Sequence, residues 1–290
     1  MFLKSFDTEW KGNGMKIFIS VDMEGIGGVV SLSHVLSKGG DYQRFRKWMT
    51  EEILAVIEGA KNMGATKITI ADSHGSMTNL LIEDLPEDVT VITGFPRPLC
   101  MVHGIWEGYD VALFLGYHAR KGVKGGVMSH TISGRTFSAI RINGEDASEF
   151  YLNALVAGFY GVPVALVAGD LEICKEAEGK IRNIETVVTK VGITRFSART
   201  KTLKAIKKEL KEKTVRALSK VKKGVIRPIK PGEEILLELK FFDPDVPDLL
   251  EYIEKVERKD GVTIQYKARD IIEAYKLIEL AMIPGQKNFR

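Results

Sequence analysis

The chain predicts an α/β fold: a mostly parallel sheet covered by helices on both faces, with a second, smaller α+β domain after it. Two observations carry this. Short, nearly continuous apolar runs recur through the first 170 residues, the pattern of strands buried on both faces. Segments with apolar residues at helical spacing alternate with them, as βα units require.

Residues 1–14 contain Lys4, Asp7, Glu9 and Lys11 but no apolar core, so they read as a disordered N-terminal extension and not as a secretory signal. Strand pattern starts at Met15-Lys16-Ile17 and runs to Val21, ending at Asp22 before the Glu24-Gly25-Ile26-Gly27-Gly28 loop. A helix is expected from about 41 to 63, with Phe45, Trp48, Ile53, Val56, Ile57 and Ala60 on its apolar face. Strands follow at 67–71, 89–93 and 111–115, the first ending at Asp72-Ser73-His74-Gly75 and the last at Gly116-Tyr117-His118-Ala119. A short strand over 140–143, a helix over 145–159 and a buried strand over 162–168 complete an α/β catalytic domain of residues 15–170. Residues 171–290 read as the α+β domain, offering surface for contacts between subunits. It has helices near 172–179, 201–223, 248–254 and 269–280, and strands at 185–191, 235–241 and 262–266.

Hydrophobic residues make up 44 % of the 290 and charged residues 28 %, an ordinary globular balance that excludes a disordered chain. Two cysteines, Cys100 and Cys174, exclude a disulfide framework and a cysteine metal cluster. They fit a reducing, cytoplasmic compartment. The longest apolar stretch, 162–168, is far too short to span a bilayer, so no membrane partner is expected. Net charge is +4, shared unevenly: residues 1–170 hold 15 Lys+Arg against 19 Asp+Glu, and the remainder 27 against 19. Much of the excess lies in the amphipathic segment 201–223. Glu209 and Glu212 interrupt it and no aromatic interleaves it, so it reads as a solvated face rather than a nucleic-acid surface.

Chemistry gathers where strands stop. Asp22 and Glu24, then Asp72 and His74, then His118, each fall just past an apolar run, where loops converge in open α/β sheets. Two carboxylates as close as Asp22 and Glu24 repel unless a cation or a shared proton compensates. A solvated acidic turn is the alternative. The glycines after them lack dinucleotide-loop spacing, and the acids would face a pyrophosphate with like charge. His74, His118 and His130 lie in polar or glycine-bounded contexts, and imidazole with carboxylate is a donor set that holds zinc. His34 and His103 have no such context and read as structural or surface residues. A Cys100–His103 pair would leave the acidic residues unexplained.

These residues resemble the zinc-dependent D-aminopeptidase family, whose type member belongs to a bacterial dipeptide-transport operon. The matching stretches are Ser20-Val21-Asp22-Met23-Glu24-Gly25, Asp72-Ser73-His74-Gly75, Gly116-Tyr117-His118-Ala119 with Lys124-Gly125-Gly126, Ser129-His130-Thr131 and Ile142-Asn143-Gly144. The resemblance implies two zinc ions per subunit, with Asp22 bridging them. Glu24 and His74 would complete one ion's ligands, and His118 with Glu149 the other's; Glu145 and Asp146 compete with Glu149 for that place. His130 would do acid/base work at the scissile bond, and Asp72 would orient His74. The implied activity is removal of the N-terminal residue, D-configured, from short peptides, by a homo-oligomer built as a decameric ring. Other readings are a metal-dependent amidase or phosphoesterase, and a non-enzymatic metal-stabilised scaffold.

Overall fold

The structure, a computed structural model, describes residues 14–286. In chain order the elements are β1 (Met15–Val21), α1 (Leu32–Val35), α2 (Tyr42–Asn62), β2 (Ala65–Asp72), β3 (Val89–Ile92), β4 (Val111–Tyr117), β5 (Phe137–Ile142) and β6 (Glu145–Asp146). There follow α3 (Glu149–Phe159), β7 (Val164–Asp170), α4 (Leu171–Lys180), β8 (Glu185–Thr194), β9 (Ser197–Thr200) and α5 (Leu203–Lys222). The last are β10 (Ile235–Phe241), α6 (Asp245–Leu250), β11 (Val256–Asp260), β12 (Thr263–Ala268) and α7 (Ile271–Gln286).

Seven strands form the main sheet in the order β3-β2-β1-β4-β7-β8-β9, with β9 antiparallel to β8 and every other pair parallel. Successive strand side chains point to opposite faces, yet every residue of β4 and β7 is buried, so both faces are covered. Helices α2 and α5 pack on each other and on the sheet, while α3 packs on β4, β7, α4 and α7. The mostly parallel sheet covered by helices agrees with the fold expected from the sequence. The second sheet, β11-β12-β10-β5-β6, is antiparallel throughout. Its strand β10 alternates between buried and more exposed positions, as a sheet with one packed face should.

The sheets do not part at residue 170, where the sequence placed the change of domain. β8, β9 and α5 extend the first sheet and its helical layer, whereas β5 and β6 belong to the second sheet. Apolar pattern identifies a strand but says nothing about which edge it will join. The helix expected from 145 begins at Glu149, because Glu145 and Asp146 pair with Ile142 and Arg141, and Ser148 caps the helix by accepting from the Tyr151 N–H. The helix expected over 248–254 lies at 245–250, with Pro247 in its first turn.

The basic segment is a packed helix. Ile206, Leu210, Ala217 and Leu218 are buried on α5, and its lysines reach acids across the contact: Lys207 to Glu51 at 2.9 Å, Lys211 to Glu58, and Lys213 to Glu185 at 2.6 Å. Acids of α2 thus meet lysines of α5 along the rim of this contact, while Lys204, Lys208, Glu212 and Arg216 stay exposed, the solvated face that the sequence suggested.

Position in the sheet sets up the site. Val21 is in register with Asp72 on one side and Leu115 on the other, so β1, β2 and β4 stop along one edge. The chain turns from β1 to β2 and β3 in one direction, then crosses back to β4 on the other side of β1. That reversal opens a crevice beyond the carboxyl ends of β1 and β4.

Candidate metal centre

Asp22 follows β1, His74 follows β2, and His118 follows β4, and all three are buried at that edge. Their approach depends on backbone contact. The Gly25 N–H donates to Gly116 O at 2.7 Å, and the Asp22 N–H to Leu115 O at 2.8 Å. A Cβ on Gly116, whose φ is +67°, would lie 1.9 Å from Asp22 O, and one on Gly25 would lie 2.0 Å from Tyr117 O. Glycine is required at both places, since an L side chain has neither the space nor, at Gly116, the conformation. Gly25, beside the acidic pair, therefore packs directly on the neighbouring strand end.

The acids and imidazoles converge. His74 Nδ1 lies 3.3 Å from Asp22 Oδ1 and 2.8 Å from Glu24 Oε2. His118 Nε2 lies 3.4 Å from Asp22 Oδ2 and 3.3 Å from Glu149 Oε2. His130 Nε2 stands 3.7 Å from Glu149 Oε1, and its ring stacks on His118 at 4.3 Å between centroids. Ligand atoms of Asp22, Glu24 and His118 all lie within 4.8 Å of one another, and so do those of His118, His130 and Glu149. Asp22, Glu24, His74, His130 and Glu149 border a cavity of about 120 Å³ that also touches Met101 and Ile132.

Backbone carbonyls orient all three rings. His74 Nε2–H donates to Val35 O, His118 Nδ1–H to Ala119 O, and His130 Nδ1–H to Met128 O, each at 3.0 Å. Those bonds turn His74 Nδ1, His118 Nε2 and His130 Nε2 toward the carboxylates. The Ile132 N–H fixes Glu149 by donating to Oε1 at 2.7 Å.

Of the three carboxylates weighed from the sequence, Glu149 reaches the cluster. Glu145 is exposed and paired with Lys180 at 2.5 Å, and Asp146 is held by Arg141 at 2.8 Å and Arg120 at 3.2 Å. Asp72 does not orient His74. Its carboxylate accepts the N–H groups of Asn79 and Leu80 and the Asn79 side-chain amide, and that amide also donates to His74 O at 2.7 Å. It shapes the loop that carries His74. His34 stacks on Phe45 and His103 meets Trp106 edge-on, both in structural contacts. Cys100 and Cys174 are buried and free.

Electrostatics match the crowding. Burial and the Glu24 charge push Asp22 up to about 8. Burial would raise Glu24 and Glu149 too, but His74 and His118 respectively outweigh it and hold both below the usual carboxylate range. The two imidazoles move the other way: against the lowering effect of burial, Glu24 raises His74 well above its ordinary value and Glu149 lifts His118 to about 10. Burial and the neighbouring His118 lower His130. Even so, Asp22 Oδ2, Glu24 Oε2 and His118 Nε2 are buried without a hydrogen bond of good geometry, their charged neighbours being those of the cluster itself. Buried polar atoms so placed are costly, and cations held between the carboxylates and imidazoles would supply the missing partners. The donor set of imidazole nitrogens and carboxylate oxygens fits zinc.

Supporting residues escaped the sequence pattern. Ser73, Ser20, Tyr117, Asn153 and Tyr275 form a buried hydrogen-bonded chain, each link between 2.7 and 2.9 Å, running across the strand ends to α3 and α7. Asp170 accepts the Ala119 N–H at 3.2 Å and the Val127 N–H at 3.0 Å, holding the segment after His118. A polar residue inside an apolar run was the available signal for Ser20, Tyr117 and Asn153.

An α/β sheet with such a cluster at its switch point has the makings of a metal-dependent enzyme, and similarity to known proteins says of which kind. A D-aminopeptidase family model, that of the M55 peptidases, matches residues 15–280. The chain belongs to the D-aminopeptidase family, as its motifs implied. It is 38 % identical over 276 residues to the D-aminopeptidase of Bacillus subtilis strain 168, covering 92 % of this chain and 98 % of that protein. Its fold superposes with a TM-score of 0.90 on a solved structure described as the zinc-dependent D-aminopeptidase DppA of B. subtilis, a self-compartmentalizing protease. That match has 36 % identity and covers 95 % of this chain and 100 % of the other. Among the described residues no helix is long and apolar enough to cross a membrane.

Proposed function

We propose that the chain hydrolyses the N-terminal residue, D-configured, from short peptides, with two zinc ions held by Asp22, Glu24, His74, His118 and Glu149. The observation that carries this is the convergence of imidazole nitrogens on buried carboxylates that, among the described residues, have no other cation to pair with them. Asp22 faces His74 with one oxygen and His118 with the other, the disposition of a bridging carboxylate. Glu24 and His74 then serve one ion, and His118 and Glu149 the other. The zinc dependence of the B. subtilis relative supports the choice of metal. When bound, such a metal pair polarises the scissile carbonyl and makes water a better nucleophile near neutral pH.

The remaining work falls to the chain. The amide nitrogen must gain a proton as it leaves, and His130 is placed to move one at Nε2, its other nitrogen being committed to Met128 O. Glu149 stays ionised beside it, steadied by the Ile132 N–H. The cavity of about 120 Å³ beside these groups is where the end of a short peptide would sit. The self-compartmentalizing relative supports an oligomeric assembly around an enclosed space; we infer from the motif resemblance that this assembly is a homo-oligomeric decameric ring.

The test is a screen of D-alanyl dipeptides, their L-isomers and a phosphodiester, with the protein stripped by chelator and resupplied with zinc. Turnover of D-dipeptides that vanishes on chelation and returns with about two zinc per chain is the expected result. Full activity without metal would end the reading. His130→Ala should retain zinc while kcat falls by about 10²- to 10⁴-fold.

A further inference from the structure

The geometry points to Lys190 as a positioning residue that holds the Glu24 loop in place for the cation, from a strand more than 160 residues away. Lys190 lies on β8 and is 1 % exposed. Its ammonium carries three donors, and all three go to backbone carbonyls of one loop: Glu24 O, Ile26 O at 2.8 Å and Val29 O at 2.6 Å. Neighbouring side chains finish the cradle. The Thr189 hydroxyl lies within bonding distance of Gly25 O, at 2.7 Å, and Gly169 O, at 2.9 Å. Glu52 on α2 accepts the Gly27 N–H at 2.9 Å, and Thr200 accepts the Gly28 N–H at 3.0 Å.

The need for such a cradle follows from the local sequence. Residues 24–29 carry three glycines and form neither helix nor strand, so the segment has little conformational preference and few partners of its own. Its backbone is nonetheless buried, and buried carbonyls need donors. Lys190 supplies three from a single side chain. The side chain of Glu24, at the start of this loop, must sit 2.8 Å from His74 Nδ1 against the repulsion of Asp22. Loosening the loop lets Glu24 retreat, whereas His118 and Glu149 rest on β4, Asp170 and α3 and stay where they are. Lys190 touches no reacting group; its effect is selective for one of the two cations.

This inference rests on the two-zinc reading above, and the wild-type protein in the same experiment tests that reading separately. Full-length wild type, Lys190→Met, Thr189→Val and Leu210→Ala are equilibrated with zinc buffered by a competing chelator, and bound zinc is measured against free zinc, with thermal unfolding of each run in parallel. Leu210 is buried on α5 and serves as a control for lost stability without a change at the loop. Wild type should hold two zinc ions. Lys190→Met should keep one with wild-type affinity and bind the other at least about tenfold more weakly. Thr189→Val should weaken the same ion by a smaller factor, and Leu210→Ala should unfold earlier yet hold both normally. Wild-type affinity in Thr189→Val and in any folded Lys190→Met protein would overturn the inference, as would equal weakening of both ions, or zinc loss in Leu210→Ala matching its lost stability. A wild type that fails to take up two zinc ions would bring down the underlying reading, and this inference with it.

Discussion

At the scale of single residues, the protons in the cluster predict how metal uptake behaves. Without a cation, His74 and His118 are both held above neutrality by their carboxylate neighbours, His118 at about 10, and Asp22 sits at about 8. Zinc needs the imidazoles neutral and the carboxylates ionised, so loading must expel protons. Near pH 7.5, calorimetric titration in two buffers of different ionisation enthalpy should therefore show release of roughly two protons or more. The sign follows: apparent affinity rises with pH as those protons leave on their own, and falls as pH drops. Heats that do not depend on the buffer would contradict the assignment. The same residues show what the sequence could reveal. Asp22, Glu24, His74 and His118 announced themselves as polar groups at the ends of apolar runs, and Glu149 was within reach through its motif. Lys190 did not, because Lys190-Val191 inside a strand looks like any solvated lysine. Its meaning lies in three carbonyls whose burial exists only after folding.

At the scale of elements, α5 shows which charges count. The pairs Lys207–Glu51 and Lys211–Glu58 are substantially exposed, and such pairs contribute on the order of 0–1 kcal/mol each. Glu185 differs: its side chain is 7 % exposed and takes Lys213 on one oxygen and Lys220 on the other at 2.5 Å. Burial would raise this carboxyl, but the two lysines win and hold it below its ordinary value. Glu185→Gln should cost about 1–3 kcal/mol in urea denaturation near neutral pH, and Glu58→Gln less than about 1. Because the folded carboxyl is the stronger acid, its contribution is complete above the ordinary glutamate range and fades as pH falls through the folded value. The gap between Glu185→Gln and wild type should accordingly close in acid. Gly116 makes a second case. At φ +67° with Asp22 O in the way of a side chain, Gly116→Ala should destabilise by at least about 2 kcal/mol, measured by the same denaturation. Elements with strong period were legible in the sequence to within a few residues. β6, β9 and β11 were not, because Glu-Asp, Ser-Ala-Arg-Thr and Val-Glu-Arg-Lys-Asp are short and polar, and become strands only through the neighbours they pair with.

At the scale of the whole molecule, the order of strands in the sheet was the part the sequence withheld. Apolar runs predicted a covered parallel sheet. They could not reveal that β8 and β9 close its edge while β5 leaves to join β10, since an apolar run does not record which neighbour it will pair with. The charge asymmetry between the halves was visible, and the α2–α5 contact gives its reason: acids of the earlier helix face lysines of the later one. That contact predicts a graded response to salt. Because its pairs are exposed, raising ionic strength to about 1 M should screen them while the apolar contact between the helices persists. The thermal midpoint of wild type should then move by only a few degrees.

The cradle under the Glu24 loop spans the polypeptide, and this bears on how the protein is made. During synthesis, the segment bearing Asp22 and Glu24 leaves the ribosome long before Thr189, Lys190 and Thr200 exist. Until those residues emerge, the early carbonyls have water as their partner and the acidic pair has no fixed geometry. A nascent chain halted near residue 170 would thus carry Asp22, Glu24, His74, His118, His130 and Glu149, yet lack the side chains that hold the Glu24 loop in place.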